Sequence, residues 1–148
     1  KGMTAMLKIK RLRPSAQIPS YATPGSAGLD LCADLDAPVT LEPGGAATIP
    51  TGLAVQLEPG RAGFIFARSG LGVRHGIVPS NCVGVIDSDY RGEILVGLRN
   101  QSQEAFVIEP GMRVAQMVIL AVETPPLLEC EALDGTQRGA GGFGSTGS

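Results

Sequence analysis

The chain has 148 residues and a formal net charge of −2, and 43% of it is hydrophobic. That apolar share excludes disorder, and 12 basic against 14 acidic residues exclude a global basic field for holding nucleic acid or an anionic membrane. Twenty-one glycines and eleven prolines exclude long helices, since only 3–13, 98–109 and 112–124 run more than ten residues without either.

In chain order, KGMTAMLKIKRLR carries charge with no apolar stretch behind it, so it does not read as a secretory signal. Lys1-Gly2 ahead of Met3 reads as a cloning remnant. The segment 27–33 is apolar except for Asp30. Glu-Pro-Gly occurs at 42–44, 58–60 and 109–111, each time between apolar runs. Proline presets position i+1 of a turn and glycine supplies the positive φ at i+2, so type II turns are expected there. Leu53, Val55 and Leu57 alternate with period two, as do Phe64 and Phe66, and Ile94, Val96 and Leu98. A short helical turn is expected around Ser69–His75. Val83–Ile86 runs into Asp87-Ser88-Asp89-Tyr90 and then the alternating strand after Glu93, which is a hairpin pattern. Val114–Val122 is almost continuously apolar and reads as a strand buried on both faces. Its longest apolar run, Met117–Val122, is far too short to cross a bilayer. From Arg138 the chain reads RGAGGFGSTGS, too glycine-rich to pack by itself. Many short strands between turn signals predict an all-β fold, a sandwich or jelly-roll-type β-barrel, with a body over 1–137 and an arm over 138–148.

Cys32, Cys82 and Cys130 are odd in number and far apart, with no CxxC or Cys–His spacing. They support neither a disulfide framework nor a zinc site, and read as buried thiols in a reducing, cytoplasmic setting.

Four groups of residues have the types that do chemistry. Arg68-Ser69-Gly70 follows an apolar strand and offers a guanidinium fork, a hydroxyl and glycine amides to phosphate oxygens; an ordinary strand exit has the same look. In the hairpin, Ser88 and Asp89 suit a turn, whereas Asp87 beside Tyr90 resembles the wall of a small-ligand site. Asp87 and Asp89 also admit a divalent cation, on weak spacing. Asp30 and Gln116 interrupt apolar strands and need partners, from a neighbouring strand, a second subunit or a ligand. The arm spells GxGxxG from Gly139 to Gly144, without the following helix a dinucleotide site needs and without a P-loop lysine. It reads either as a tail or as a closing segment in which Arg138, Ser145 and Thr146 meet a polyanion and Phe143 stacks on a ring. His75 has no partner in sequence for a Ser-His-Asp arrangement.

Taken together, AGLDLCA (27–33), RSGLG (68–72), GVIDSDYRGE (84–93), GMRVAQ (111–116) and RGAGGFGSTG (138–147) resemble the five ordered motifs of the trimeric dUTP pyrophosphatase (dUTPase) family. The resemblance spans 7–147. The second motif departs at Gly72, where the family usually has alanine; the change removes no functional group and is expected to loosen the following turn. The resemblance implies a jelly-roll β-barrel that forms a homotrimer, with three active sites between subunits, each covered by an arm. It implies water attack on the α-phosphate of dUTP, giving dUMP and pyrophosphate, with Mg2+ on the triphosphate. That reaction keeps uracil out of DNA and supplies dUMP for thymidylate synthesis.

By the same resemblance, Asp87 orients and deprotonates the attacking water and contacts the 3′-hydroxyl. Tyr90 packs on the deoxyribose and excludes a 2′-hydroxyl. Asn81 and the hairpin backbone, including Gly84, read the uracil edge. Arg68, Ser69, Gly70 and Gln116 hold the phosphates, and Asp30 meets Mg2+ through water only. Arg138, Phe143, Gly144, Ser145 and Thr146 close the site. No stable nucleic acid or membrane partner is implied. The rival readings are a dCTP deaminase of the same fold family, which needs a glutamate base at the ring, and a non-catalytic trimeric module that binds a nucleotide.

Overall fold

Three corners of the molecule are made by one tripeptide. In the computed structural model, which describes residues 6–142, Gly44, Gly60 and Gly111 have φ of +74°, +77° and +78°. The amides of Gly45, Arg61 and Met112 donate to the carbonyls of Glu42, Glu58 and Glu109 at 2.8, 3.2 and 3.1 Å. These are the type II turns the sequence predicts. They join β3 (Val39–Leu41) to β4 (Ala46–Pro50), β5 (Leu53–Gln56) to β6 (Arg61–Phe66), and β10 (Phe106–Ile108) to β11 (Arg113–Ala121). Each passes the chain from one sheet to another. Type II geometry splays flanking strands and so suits a corner better than a hairpin.

The remaining strands are β1 (Lys8–Arg11), β2 (Leu29–Cys32), β7 (Ile77–Pro79), β8 (Gly84–Ile86) and β9 (Leu95–Asn100), and the one helix, α1, spans Ser69–His75. They form antiparallel sheets in the orders β1-β5, β3-β10, β2-β11-β6-β8 and β4-β9-β7. This is an all-β fold of jelly-roll type with one short helix. Leu31, Ile49, Ile94, Leu98, Ile108 and Met117 are wholly buried in one core drawn from all these sheets except β1-β5, which adds Leu53 and Val55. The helix is closed by Gly76, at φ +65°, whose amide donates to Gly72. Asn100, buried among apolar residues, donates to the Leu41 and Glu104 carbonyls at 2.9 and 2.7 Å, so its amide costs the core little.

Three expectations need revision. On β6 the core-facing side chain is Ile65, while Phe64 and Phe66 lie half-buried on the outer face, which Ala62 shares, and stack at 6.3 Å. Alternation gave the pairing of faces correctly, but the aromatic face is the outer one. β11 is not buried on both faces: Ala115 and Met117 are buried on the inner one, whereas on the outer one Gln116 and Val118 are half-buried and Leu120 is exposed. Registers Phe64↔Val118 and Phe64↔Val85 gather Phe64, Phe66, Val85, Val118 and Leu120 on one outer apolar sheet face. Of the thiols, Cys32 is half-buried whereas Cys82 and Cys130 are exposed. Cys82 sits in a turn and Cys130 lies beyond β11, where no strand forms among the described residues. There Leu127, Leu128 and Leu133 are 98%, 89% and 88% exposed. No helix among the described residues is long and apolar enough to cross a membrane.

Candidate functional site

The polar residues that interrupt the strands of the β2-β11-β6-β8 sheet converge at one of its ends. Asp30 lies opposite Gln116, and Gln116 opposite Phe66, so both polar side chains share the outer face just where β6 ends and Arg68 begins. Arg68 Nε donates to Asp30 Oδ1 at 2.9 Å, and Arg113 Nη1 donates to Asp30 Oδ2 at 3.1 Å. Asp30 is thus held between two guanidinium groups, with each of its oxygens used.

Arg113 was not singled out from the sequence, and its place depends on a bulge. Arg113 pairs with Cys32 but Ala115 pairs with Leu31, so Val114 is the extra residue. Without it, Arg113 and Gln116 would fall on opposite faces; with it, both face Asp30, and Val114 and Ala115 both turn into the core. Gln116 Nε2 donates to the Ala67 carbonyl at 2.9 Å. Its Oε1 lies against Gly28, where a Cβ would occupy the same space.

These groups line a cavity of about 350 Å3 together with Ser69 and Gly70, the first residues of α1. The first amides of a helix have no partner in the helix and point outward, so this end of the sheet presents a guanidinium with unused N–H groups, amides and a hydroxyl to one space. The composition of the cavity suits a polyanion. Burial, followed by the nearby Asp30 carboxylate, pushes the Cys32 thiol up. Among the described residues no three His, Cys, Asp or Glu side chains converge to hold a metal ion. Asp30, already engaged by two arginines, suits a cation that keeps its own water shell.

The hairpin expected around Asp87 does not form: β8 pairs with β6 whereas β9 pairs with β4 and β7, so the turn at 87–90 passes the chain from one sheet to another. Gly84 pairs with Ile65 and Ile86 with Gly63, so β8 runs back along β6 and Asp87 falls level with Ala62. Arg68 lies six residues beyond Ala62, past the end of β6 at Phe66, about 20 Å away at ~3.3 Å per residue. The structure therefore brings together Asp30, Arg68, Ser69, Gly70 and Gln116, and sets Asp87 and Tyr90 apart from them beyond the other end of β8; Gly84 begins β8 and Asn81 precedes it, on the side toward Arg68.

The segment 81–91 is shaped largely by bonds to its backbone. Cys82 has φ +64°, and around it the Val83 amide donates to the Asn81 carbonyl at 2.7 Å, a γ-turn with positive φ. Non-glycine residues hold that conformation at a cost, which fixes where Asn81 and the following amides point. The Tyr90 amide donates to the Asp87 carbonyl at 3.2 Å, and Arg91 Nη1 donates to the Ser88 and Tyr90 carbonyls at 2.7 and 2.9 Å. Asp87 and Tyr90 are exposed at the two ends of this turn.

Arg138 is exposed and folded on its own segment, its Nε donating to the Gly141 carbonyl at 2.8 Å, and it does not line the cavity. Phe143, Gly144, Ser145 and Thr146 lie outside the described residues, as do Lys1 and Gly2.

A family model described as dUTPase matches residues 14–147. The deoxyuridine 5′-triphosphate nucleotidohydrolase of Ralstonia nicotianae is 53% identical over 142 residues, covering 95% of this chain and 96% of that protein. The protein of the same name from Desulfitobacterium hafniense is 55% identical over 132 residues, covering 88% and 87%. Among solved structures, the Staphylococcus bacteriophage 80alpha dUTPase with dUPNHPP matches with a TM-score of 0.89 and 28% identity, over 98% of this chain and all of that one.

Proposed function

The chain belongs to the dUTPase family, and we propose on that premise how its residues cleave the substrate. The enzyme hydrolyses dUTP to dUMP and pyrophosphate. Water attacks the α-phosphorus, the bond to the bridging oxygen of the β-phosphate breaks, and pyrophosphate leaves. Little covalent chemistry falls to the protein, so placement and charge carry the rate.

Arg68, the Ser69 hydroxyl, the Gly70 amide and Gln116 hold the triphosphate in the polar cavity. Asp30 keeps the Arg68 fork turned toward it, with Arg113 on its other oxygen. Asp30 would meet the water shell of a Mg2+ ion that accompanies the substrate, and that ion would supply neutralisation of part of the triphosphate charge. Asp87 accepts the proton of the attacking water and holds the 3′-hydroxyl. Tyr90 lies against the deoxyribose where a 2′-hydroxyl would be. Asn81 and the backbone from the Cys82 turn to Gly84 read the uracil edge, and a thymine methyl meets rigid backbone there, since lost contact alone discriminates by only ~1–3 kcal/mol. Residues 138–148 act as an arm on a body of 1–137: Arg138 reaches the γ-phosphate and Phe143 the uracil, with Gly144, Ser145 and Thr146 completing the closure.

The observation that carries this proposal is the placement of the phosphate donors and of Asp87 at opposite ends of β6. A base about 20 Å from the phosphate donors serves no substrate within one chain. Combining one end from each of two neighbouring subunits makes one complete site, and a closed ring of three such contacts is a homotrimer.

The test is a panel of deoxynucleoside triphosphates with Mg2+, read for pyrophosphate and ammonia. Pyrophosphate from dUTP alone is expected; ammonia from dCTP identifies a deaminase. Asp87→Asn is expected to keep dUTP affinity and lower kcat by ~10²–10⁴. Parental turnover in that variant removes Asp87 from the role of base.

A further inference from the structure

Tyr90 is anchored from outside its own turn. Its hydroxyl donates to the Glu93 carbonyl at 3.0 Å. Gly92 makes that possible, because a Cβ at 92 would run into the Tyr90 hydroxyl and ring. Glu93 is itself tied to the opposite side of the fold: its Oε1 accepts the Gly52 amide at 2.7 Å and Arg13 Nη2 at 2.9 Å. Arg13 Nε in turn donates to Asp34 Oδ2 at 2.6 Å, and the Asp34 side chain is only 5% exposed. The next residue, Ile94, is wholly buried, with its amide donating to Leu53 at 2.8 Å and its carbonyl accepting Thr51 Oγ1 at 2.7 Å. Gly52 has φ +66°, and the space of its missing Cβ is filled by Asp34 and Ala16. A continuous series of bonds thus runs from Asp34 through Arg13 and Glu93 to the hydroxyl of a ring that is 43% exposed.

We propose that Arg13 and Glu93 are positioning residues that fix the Tyr90 ring and so set the enzyme's discrimination between deoxyribose and ribose. The proposal rests on the placement of Tyr90 against the sugar given above. Rejection of an added hydroxyl by exclusion works only if the wall does not yield, because a pocket that relaxes rejects such a group weakly. A ring on an exposed turn yields unless something beyond the turn holds it. Here the hold is a carbonyl in a segment fastened to the core, and the salt-bridged Glu93 side chain fixes the orientation of that residue.

The experiment compares kcat/KM for dUTP and UTP in Arg13→Ala, Glu93→Gln, Tyr90→Phe and Tyr90→Ala by pyrophosphate release. Arg13→Ala and Glu93→Gln are expected to lower the dUTP/UTP ratio about 5–20-fold, on the scale of a pocket misplaced by less than 1 Å. Tyr90→Phe, which keeps the ring and removes the bond, is expected to do the same. Adding Arg13→Ala to Tyr90→Phe is expected to cost no further selectivity, since both act through one contact. A merely structural role slows both substrates equally and leaves the ratio unmoved. If the ratio holds in Arg13→Ala and Glu93→Gln but collapses in Tyr90→Ala, the positioning role is overturned while the sugar wall stands. If it holds in Tyr90→Ala as well, the sugar wall itself is wrong. Should Arg13→Ala not fold, Gly92→Ala displaces the hydroxyl directly and is expected to lower the ratio by itself.

Discussion

The two ends of β6 are built by different means. At the Arg68 end, charged side chains from β2, β11 and the residue before α1 hold one another, and the bulge at Val114 is what lets Arg113 join them. At the Asp87 end, the shape comes from backbone: a turn closed by Tyr90 on Asp87, and a hydroxyl bonded to a carbonyl. Each means suits its task under the proposed function. A triphosphate is recognised by charge, which tolerates small shifts because Coulomb attraction falls slowly with distance. A base and a sugar are distinguished from near-copies by steric exclusion, which does not tolerate them.

The largest test of that contrast mixes two variants. Asp87→Asn and Arg68→Ala chains are each expected to be nearly inactive alone. Unfolded together in equal amounts and refolded, they are expected to regain about a quarter of parental activity, because roughly one site in four draws an intact end from each neighbour in a random ring. No recovery would falsify the division of the site between chains.

A smaller effect is expected at the charged end alone. Asp30→Asn frees both guanidinium groups while leaving their charge in place. Attraction for the triphosphate survives, so KM is expected to change little, whereas lost orientation lowers kcat ~10–100-fold. A rise in KM with kcat intact would show that Asp30 acts on binding instead.

The anchor behind Tyr90 has a pH signature. Burial raises the Asp34 carboxyl, but the Ser15 hydroxyl and the Arg13 guanidinium outweigh it and hold the group below its ordinary value of 3.8. A depressed folded value means the stabilisation is complete above the ordinary carboxylate range and is lost as pH falls through the folded value. The melting temperature is therefore expected to drop on acidification below about pH 4, and Asp34→Asn is expected to flatten that drop.

The smallest effect concerns neither end. At Gly72 an added Cβ meets nothing nearer than Val78 Cγ1 at 3.6 Å, an ordinary contact inside α1. Gly72→Ala is expected to stabilise the fold by ~0.5–1 kcal/mol with kcat unchanged, read as a rise of a few degrees in Tm. Whatever the glycine loosens is local to the helix.

What was legible in the sequence was local. The Glu-Pro-Gly corners, the Ser69–His75 helix and the tight turn at Asp87 each depend on residues within a few positions of one another, so their signals survive without a structure; that β8 and β9 part into different sheets after that turn was not legible, because it is decided by distant partners. Arg113 was not legible, because period-two alternation places it opposite Gln116 and only the bulge reverses that. Nor were Arg13 and Glu93, eighty residues apart and joined by an ion pair. Alternation also identified the two faces of β6 without saying which was inward: Ile65 takes the core and Phe64 and Phe66 the outer side. That inversion is understandable if the outer face is to be covered by another copy, since aromatic residues are enriched in such contacts.

The outer face of the β2-β11-β6-β8 sheet bears on how the protein is made. Under the proposed trimer, a chain that folds before it finds its neighbours shows Val85 and Leu120, 57% and 46% exposed, to solvent beside Phe64, Phe66 and Val118. An apolar face of this kind adheres to unfolded chains and to foreign surfaces as well as to its proper counterpart. Recovery from denaturant thus becomes a race between correct pairing and precipitation, and both quicken as the protein is concentrated. Slow, stepwise dilution favours the first, because it keeps the population of folded, unpaired chains small at every moment.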